Sequence, residues 1–443
     1  MRLTEKIGYG LGDTASSMLW KLFSVYLMFF YTDICGMDAW VVGVLFLVTR
    51  VWDSLLDPVI GLLCDRTHSR WGTFRPWLLW GALPFGVLGV LTFYMPELGA
   101  GGKVVYAAVT YSLMMIAYSS VNVPYAALLG VMSADAHDRT VLAAFRMTFA
   151  AIGSTLVVLM VEPMEKAFRP WAGQTGSWTA AISVVALLAV VLFFVTFATT
   201  RERVRPVRAE RHPVLVSLRD LMRNKPWLIL AGAAVCLQVF NAFRESGTIY
   251  FFKYYVADGT VEPVSLAGTA LTGSALFLAV GQIFNIAGIV LMPFAADRFG
   301  RRRTLASALL LTAAFSFAFY FVCQEGYPVL LLAQALISLS VGGVLPLLWA
   351  MSADTADYAE QRSGRRDTGL IFSSYSMAQK IGWSVGSAAT AWILSLAGFE
   401  ANTIQSPAAL TVISFLQSLF PAFAALGACA FILFYPLTGN RSK

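Results

Sequence analysis

The chain has 443 residues, of which 58% are hydrophobic and only 13% are charged. Soluble domains carry roughly 25% charged residues, so the composition excludes a soluble enzyme or binding domain and indicates an integral membrane protein. The formal net charge of +7 would also suit a nucleic-acid partner, but membrane topology explains the placement of the basic residues more simply.

Apolar runs long enough to cross a hydrocarbon core of about 30 Å recur about twelve times along the chain. In chain order the predicted spans are 8–33, 40–63, 76–96, 103–131, 142–163, 177–199, 226–256, 266–294, 304–323, 328–351, 368–397 and 407–436. Some runs exceed the length needed, and their glycines and prolines allow tilts and kinks. The sequence therefore predicts an all-α integral membrane protein with twelve transmembrane helices.

The basic residues fall mostly on one side of these spans. Placing both termini and every second loop in the cytoplasm puts most of the 32 Lys and Arg residues there, as the positive-inside rule requires. This topology explains the net charge without nucleic acid. We expect a multi-pass protein of a bacterial-type inner membrane, surrounded by the lipid bilayer, with both termini cytoplasmic.

The residues that usually carry catalysis or hold metals are sparse. The five cysteines show no CxxC spacing, and the three histidines lie in polar connections rather than in predicted spans. The phosphate-loop pattern GxxxxGK[ST] and the catalytic pattern HExxH are missing from the sequence. We therefore expect no enzyme, no cofactor and no resident metal.

The longest polar stretch separates six predicted spans from six. The inner ends of the two halves carry similar segments: Met132–Asp135 matches Met351–Asp354, and Cys64–Arg66 resembles Ala296–Arg298. Such echoes indicate duplication, and parallel six-helix repeats describe the major facilitator architecture, with the substrate site at the midplane. The predicted domains are an N-terminal bundle (1–199), a basic cytoplasmic linker (200–225) and a C-terminal bundle (226–443).

Acidic and basic residues gather at the inner ends of several spans. There they can latch neighbouring helices by charge-assisted hydrogen bonds in one conformation and release them in another. The alternative is that the arginines only anchor the topology. The candidate gating residues are Asp65, Arg66, Arg75, Asp297, Arg298, Asp354 and Asp357.

The second predicted span carries an acidic pair. Asp53 and Asp57 lie four residues apart in an apolar stretch and share a helix face, which Arg50 also lines. A charge at bilayer depth costs about 2.5–3.5 kcal/mol on insertion scales, so these charges indicate function. Two carboxylates can form an oxygen-rich cation site or a pair that takes up a proton. The alternative is a buried structural salt bridge of Arg50 with one aspartate.

Six motifs occur in an order that identifies a family. They are Tyr9–Asp13, Phe30–Asp33, Arg50–Pro58, Ser69–Trp77, Asn122–Tyr125 and Ala353–Tyr358. Over about residues 6–436 the chain resembles the glycoside–pentoside–hexuronide:cation symporter family, the melibiose-permease-like transporters of the major facilitator superfamily. The resemblance implies two six-helix bundles that move a sugar with a cation by alternating access.

By this resemblance Asp53, Asp57 and the hydroxyl of Ser119 form the coupling-ion site. The chain departs from the melibiose permease at Leu56, where the permease has an asparagine. One oxygen ligand for sodium is thereby lost, whereas a proton needs only one carboxylate. We expect H+ as the coupling ion, with Na+ possible if sugar, water or backbone oxygens complete its shell.

The sugar site departs from the permease as well. Ser17 and Asn122 replace its two pocket acids, and Ala126 replaces a tryptophan. The candidate substrate-binding residues are Ser17, Lys21, Asn122, Tyr125, Arg146, Trp349, Ser376 and Lys380. The loss of acids and the added Lys21 favour a hexuronide or other anionic sugar, held through charge-assisted bonds. The open alternatives are that the cations only balance the acidic pair, and that the substrate is a pentoside.

Two other functions fit the same scaffold. An exporter of lipophilic compounds or lysolipids would need a pocket dominated by apolar groups. A non-transporting sugar sensor would bind without accumulation. For the symporter, the expected partners are a small-molecule sugar or glycoside, a monovalent cation and the bilayer, and the expected state is a monomer.

Overall fold

A computed structural model describes residues 2–67, 69–133, 136–203, 221–256, 264–266, 269–363 and 368–436. Helices dominate these residues, as the sequence predicts. In chain order they are α1 (Leu3–Val25), α2 (Ala39–Arg66), α3 (Arg75–Thr92), α4 (Ala100–Met132), α5 (Ala136–Thr199), α6 (Lys225–Tyr250), α7 (Gly273–Phe299), α8 (Arg301–Val322), α9 (Tyr327–Gly342), α10 (Val344–Ser363), α11 (Thr368–Leu396), α12 (Pro407–Gln417) and α13 (Leu419–Leu433).

Several helices begin at a side chain that caps the first turn. The Asp38 carboxylate accepts hydrogen bonds from the backbone N–H groups of Trp40 and Val41 at 2.8 and 3.3 Å, just before α2. Asn224 plays the same part for α6, and Ser406 for α12. Asp, Asn and Ser favour this position because a short side-chain oxygen can reach an N–H that has no helical partner.

Some predicted spans contain breaks or irregular helical segments that hydropathy did not predict. α1 is followed by a helical turn, Leu27–Phe29, and a π-helical segment, Phe30–Ile34. α5 crosses a break at Gly173, whose φ of 70° suits glycine. This break divides α5 into the two predicted spans 142–163 and 177–199.

The predicted start of the eighth span is wrong. Residues expected to be helical from 266 onward begin instead with an antiparallel hairpin of β1 (Val264–Leu266) and β2 (Thr269–Leu271), and α7 starts only at Gly273. A short apolar run suits a strand as well as a helix, so periodicity could not separate them. Beside the hairpin, the Glu162 carboxylate accepts a hydrogen bond from the Ser274 hydroxyl at 3.0 Å.

Seven helical stretches of the described residues are long and apolar enough to cross a membrane. They are Ala100–Met132, Val141–Thr199, Lys225–Val256, Gly273–Phe299, Arg301–Val322, Tyr327–Ser352 and Pro407–Leu433. Within α2, Ala39–Arg50 forms a shorter apolar helical stretch. The protein is therefore a multi-pass membrane protein, while the count of twelve spans and the orientation of the termini remain predictions.

The chain forms two compact units. The first unit contains Met1–Arg208 and Pro263–Ala275, and the second contains Ala209–Glu262 and Leu276–Lys443. Most of the predicted linker, 204–220, lies outside the described residues. Within the first unit α1 packs on α5 and α2 packs on α4; within the second, α6 packs on α11 and α13.

Candidate functional site

Three predicted cation-site residues meet in the first unit. The hydroxyl oxygen of Ser119, on α4, lies 2.7 Å from Oδ1 of Asp53 and 2.6 Å from Oδ1 of Asp57, both on α2. Asp53 is completely buried and Ser119 is 1% exposed. The four-residue spacing of the aspartates places both carboxylates on the side of α2 that faces α4, so that one hydroxyl reaches both.

The short contacts limit the protonation states of this cluster. A serine hydroxyl carries one hydrogen and can donate it to only one acceptor at a time. The second oxygen–oxygen contact is therefore stronger when it receives a hydrogen of its own. A proton on either carboxyl group supplies it, since that carboxyl then donates to the serine oxygen. The arrangement can thus hold a proton between two acids and a hydroxyl.

Aromatic rings hold the neighbouring cation. The Arg50 guanidinium carbon lies 4.3 Å from the ring centre of Trp20 and 5.8 Å from that of Tyr111. Arg50 is 4% exposed, and contact with ring faces stabilises a desolvated cation. Trp20 is a site neighbour that the sequence did not single out.

A second charged pair lies in the first unit, between α1 and α5. Nε of Arg146 donates to Oδ2 of Asp13 at 3.0 Å. Arg146 was a predicted substrate residue, whereas Asp13 was not. Two signals could have found Asp13: it ends the Tyr9–Asp13 motif, and it precedes the predicted residue Ser17 by four positions on the same helix face.

Residues of α4 support this pair. The Tyr125 hydroxyl donates to the backbone oxygen of Tyr9 at 2.6 Å, and the two rings stack with centres 4.7 Å apart. A Cβ at Gly12 would meet the Tyr125 ring at 2.6 Å, so only glycine permits this contact. Nearby, the Ser16 hydroxyl donates to the side-chain oxygen of Asn122 at 3.3 Å. Two predicted residues, Tyr125 and Asn122, are thereby fastened to α1.

The other predicted substrate residues are distributed over both units. On α1, Ser17 is half-buried and Lys21 is buried. In the second unit, the ring of Trp349 meets that of Tyr375 edge-on at 4.8 Å. Ser376 and Lys380 follow on α11, half-buried and one turn apart.

The predicted gating residues make different contacts. Arg75 donates to the backbone oxygen of Phe197 at 2.6 Å, and the Glu202 carboxylate accepts from three successive N–H groups, Thr73 to Arg75. In the second unit, Asp354 pairs with Arg301 at 2.9 Å.

The remaining gating candidates are less engaged or not described. Arg66 and Asp297 are exposed, and Arg298 lies over the ring of Phe299. The side chains of Asp65 and Asp357 lie outside the part that the structure describes.

Comparison with known proteins identifies the family. A match to the MFS/sugar transport protein family covers residues 8–439. The chain belongs to this family. Its members are transporters, so this protein is a transporter and not an enzyme.

Two relatives and one structure illustrate the assignment. The chain is 36% identical over 442 residues to YagG of Escherichia coli (strain K12), which is named as a glycoside/cation symporter, covering 100% of this chain and 93% of the relative. It is 34% identical to the isoprimeverose transporter of Lactiplantibacillus pentosus, with 99% and 90% covered. A solved structure of a proton-dependent oligopeptide transporter has a TM-score of 0.73 at 13% identity, with 98% of each chain covered. This last likeness shows the shared fold.

Proposed function

We propose that this protein is a symporter that imports a sugar or glycoside together with a monovalent cation by alternating access. The observation that carries the proposal is the buried contact of Ser119 with both Asp53 and Asp57. Two acids on one membrane helix are costly to insert, and ionisable residues retained in spans usually serve transport. Membership of a sugar transport family and the names of the relatives support the same function.

We propose that the coupling cation is H+. Three side-chain oxygens of the cluster, one from each residue, lie in contact, and Leu56 adds none. A sodium ion would need further oxygens from sugar, water or backbone, whereas a proton fits between the contacts as they stand. Na+ remains the alternative cation.

For the sugar, the supporting features are polar side chains beside aromatic rings. Sugars offer apolar C–H faces to rings and many hydroxyls to polar groups. Lys21, Arg146 and Lys380 favour a hexuronide or other anionic sugar, while a neutral pentoside fits the same residues without a charge partner. The pairing of Arg146 with Asp13 bears on this choice, because it already gives Arg146 a negative partner.

The proposed cycle begins when the outward-open protein takes up the cation at Asp53 and Asp57. Loading removes the repulsion between the two carboxylates and allows closure around bound sugar, after which both ligands leave to the cytoplasm. A unit charge that crosses 100 mV releases about 2.3 kcal/mol, enough for a sugar gradient of about fifty-fold. We propose that the protein works as a monomer, with both termini in the cytoplasm.

The test is uptake into proteoliposomes of purified protein. Neutral and acidic glycosides are offered with a proton gradient or a sodium gradient imposed separately. We expect at least one glycoside to accumulate when protons flow inward. If no cation gradient drives any glycoside uphill, the proposal is wrong. Transport of lysolipids in the same vesicles would instead favour the exporter.

A further inference from the structure

We infer that Asp13 makes the sugar site of the first unit selective for uncharged sugars, because its pairing with Arg146 presents a neutral set of donors and acceptors. The inference deepens the proposed function and rests on it. It assigns a specificity-determining role to a residue on α1 and revises the expectation that Arg146 attracts an anionic sugar.

Tight helix packing fixes the pair. A Cβ on Gly153 of α5 would lie 2.6 Å from the backbone oxygen of Thr14, so the two helices touch directly. The Thr14 hydroxyl donates to the backbone oxygen of Phe149 at 3.0 Å. Asp13 adjoins Thr14, and Arg146 lies one turn before Phe149. Their geometry is therefore set by the backbone contact of α1 with α5.

The pair matches charge with charge in a buried place. Oδ2 of Asp13 accepts the hydrogen bond that Nε of Arg146 donates. The guanidinium carbon of Arg146 also lies 5.2 Å from the ring centre of Tyr125. A carboxylate on the substrate would have to compete with Asp13 for Arg146 and would lie close to the negative charge of Asp13. Like charges repel more strongly in such a partly desolvated place than in bulk water.

An uncharged sugar can form hydrogen bonds with both the donors of Arg146 and the acceptors of Asp13. The guanidinium has N–H donors besides Nε, and a carboxylate can accept several hydrogen bonds. Neighbouring sugar hydroxyls each donate and accept, so they can bridge the two charged groups. The Arg146 side chain is 28% exposed and that of Asp13 is 12% exposed, which leaves both within reach of a ligand.

The pair also lies at the depth of the cation cluster. At about 1.5 Å per residue, Asp13 is about 15 Å from the start of α1, and Arg146 is about 15 Å from the start of α5. Asp57 is about 14 Å from the end of α2. All three therefore lie at a similar distance from those ends of their helices that are predicted to face the cytoplasm.

The experiment uses a matched pair of ligands, methyl glucoside and methyl glucuronoside, which differ only by the carboxylate at C6. Each competes with a labelled sugar for uptake into proteoliposomes, and the ratio of their inhibition constants is measured. We expect the wild type to prefer the neutral ligand by about tenfold or more, and Asp13→Asn to shift the ratio toward the acid by about tenfold. Asp33→Asn removes another buried acid that follows α1 and should leave the ratio unchanged.

The ratio separates selectivity from general damage, because a merely structural loss weakens both ligands alike. If Asp13→Asn does not fold, the double variant Asp13→Asn/Arg146→Gln, which leaves no unmatched charge, should bring the ratio toward one. A wild type that prefers the acid, or a ratio that Asp13→Asn does not move, overturns the inference alone. Failure of every glycoside to enter the wild-type vesicles would instead overturn the proposed function.

Discussion

Buried charged side chains have different contacts in the two units. In the first unit, carboxylates of Asp53 and Asp57 meet a hydroxyl, and Asp13 meets Arg146. In the second unit, Arg244 on α6 is 7% exposed and donates to the backbone oxygen of Gln417 at 2.6 Å and to the side-chain oxygen of Gln334. The first unit thus places acids where a cation can join them, whereas neutral oxygens hold the arginine of the second.

The local fold explains the position of Arg244. α12 ends at Gln417, and α13 begins at Leu419, so the carbonyl of Gln417 lies at a helix break where the regular partner is lost. Arg244 donates to this carbonyl, and the Gln417 side chain donates back to the backbone oxygen of Arg244 at 2.9 Å. Burial of a charged side chain alone therefore does not show whether its role is structural or functional; the groups that it contacts must also be known. Arg244 donates to the carbonyl at a helix break, whereas we propose that the acidic pair couples transport.

The largest effect should come from Asp57→Asn. Because the variant cannot carry an ionised carboxylate at this position, sugar accumulation should fall from about fifty-fold to none under an inward proton gradient. Exchange of labelled for unlabelled sugar should persist. Uptake and exchange are measured in the same vesicles, with Asp33→Asn as control. If Asp57→Asn accumulates sugar as the wild type does, Asp57 is not needed for coupling, and the acidic pair does not distinguish the first unit from the second.

Ser119→Ala should have the next largest effect. The variant keeps both acids but removes the hydroxyl between them, and a hydrogen bond to a charged group contributes about 1.5–3 kcal/mol. We expect the concentration of protons needed for half-maximal uptake to change by about tenfold or more. Ser119→Thr, which retains the hydroxyl, is the matched control. Equal proton dependence in the alanine and threonine variants would exclude the hydroxyl from the site.

Arg244→Gln should act on stability and not on coupling. The Gln417 carbonyl loses a charged donor, which should cost about 2 kcal/mol of stability. A lower thermal unfolding midpoint in detergent would show this loss. Vesicles that contain equal amounts of folded variant and wild type should show the same proton dependence of uptake. A changed proton dependence would assign Arg244 to the coupling machinery.

The smallest effect concerns the N-terminal end of α1, where Glu5 accepts a hydrogen bond from Arg203. Burial opposes ionisation, but hydrogen bonds from Arg203 and the Arg2 backbone outweigh it and lower the pKa of Glu5. A lowered pKa stabilises the fold above the ordinary pKa of a glutamate, and this contribution is lost as the pH falls through the folded-state pKa.

Glu5→Gln should therefore destabilise the protein by about 1 kcal/mol at neutral pH, since Arg203 is partly exposed. The difference from wild type in thermal unfolding should shrink in acid. A difference that grows as the pH falls would contradict the sign of this pKa change.

The sequence predicted those features that depend on local pattern. Apolar runs located most helices, and the four-residue spacing placed Asp53 and Asp57 on one face. The hairpin at 264–271 was missed because a short apolar run fits either structure. The break at Gln417 left no recognisable signal in hydropathy.

Pairings between distant positions were harder to predict. Asp13 and Arg146 meet because α1 packs on α5, and nothing in either local segment specifies that contact. Likewise, the pairing of Asp354 with Arg301 follows from the packing of the second unit and not from the motif that contains Asp354. The family resemblance indicated Arg146 but not the charge that Asp13 places beside it.

The central claim is that the Asp53–Ser119–Asp57 cluster binds the coupling cation. The most direct measurement adds sugar outside proteoliposomes that have no imposed gradient and records internal pH with a trapped dye. For the wild type we predict acidification of the interior as sugar enters, and for Asp57→Asn no acidification although sugar exchange continues. Acidification of equal size per sugar in Asp57→Asn would contradict the account.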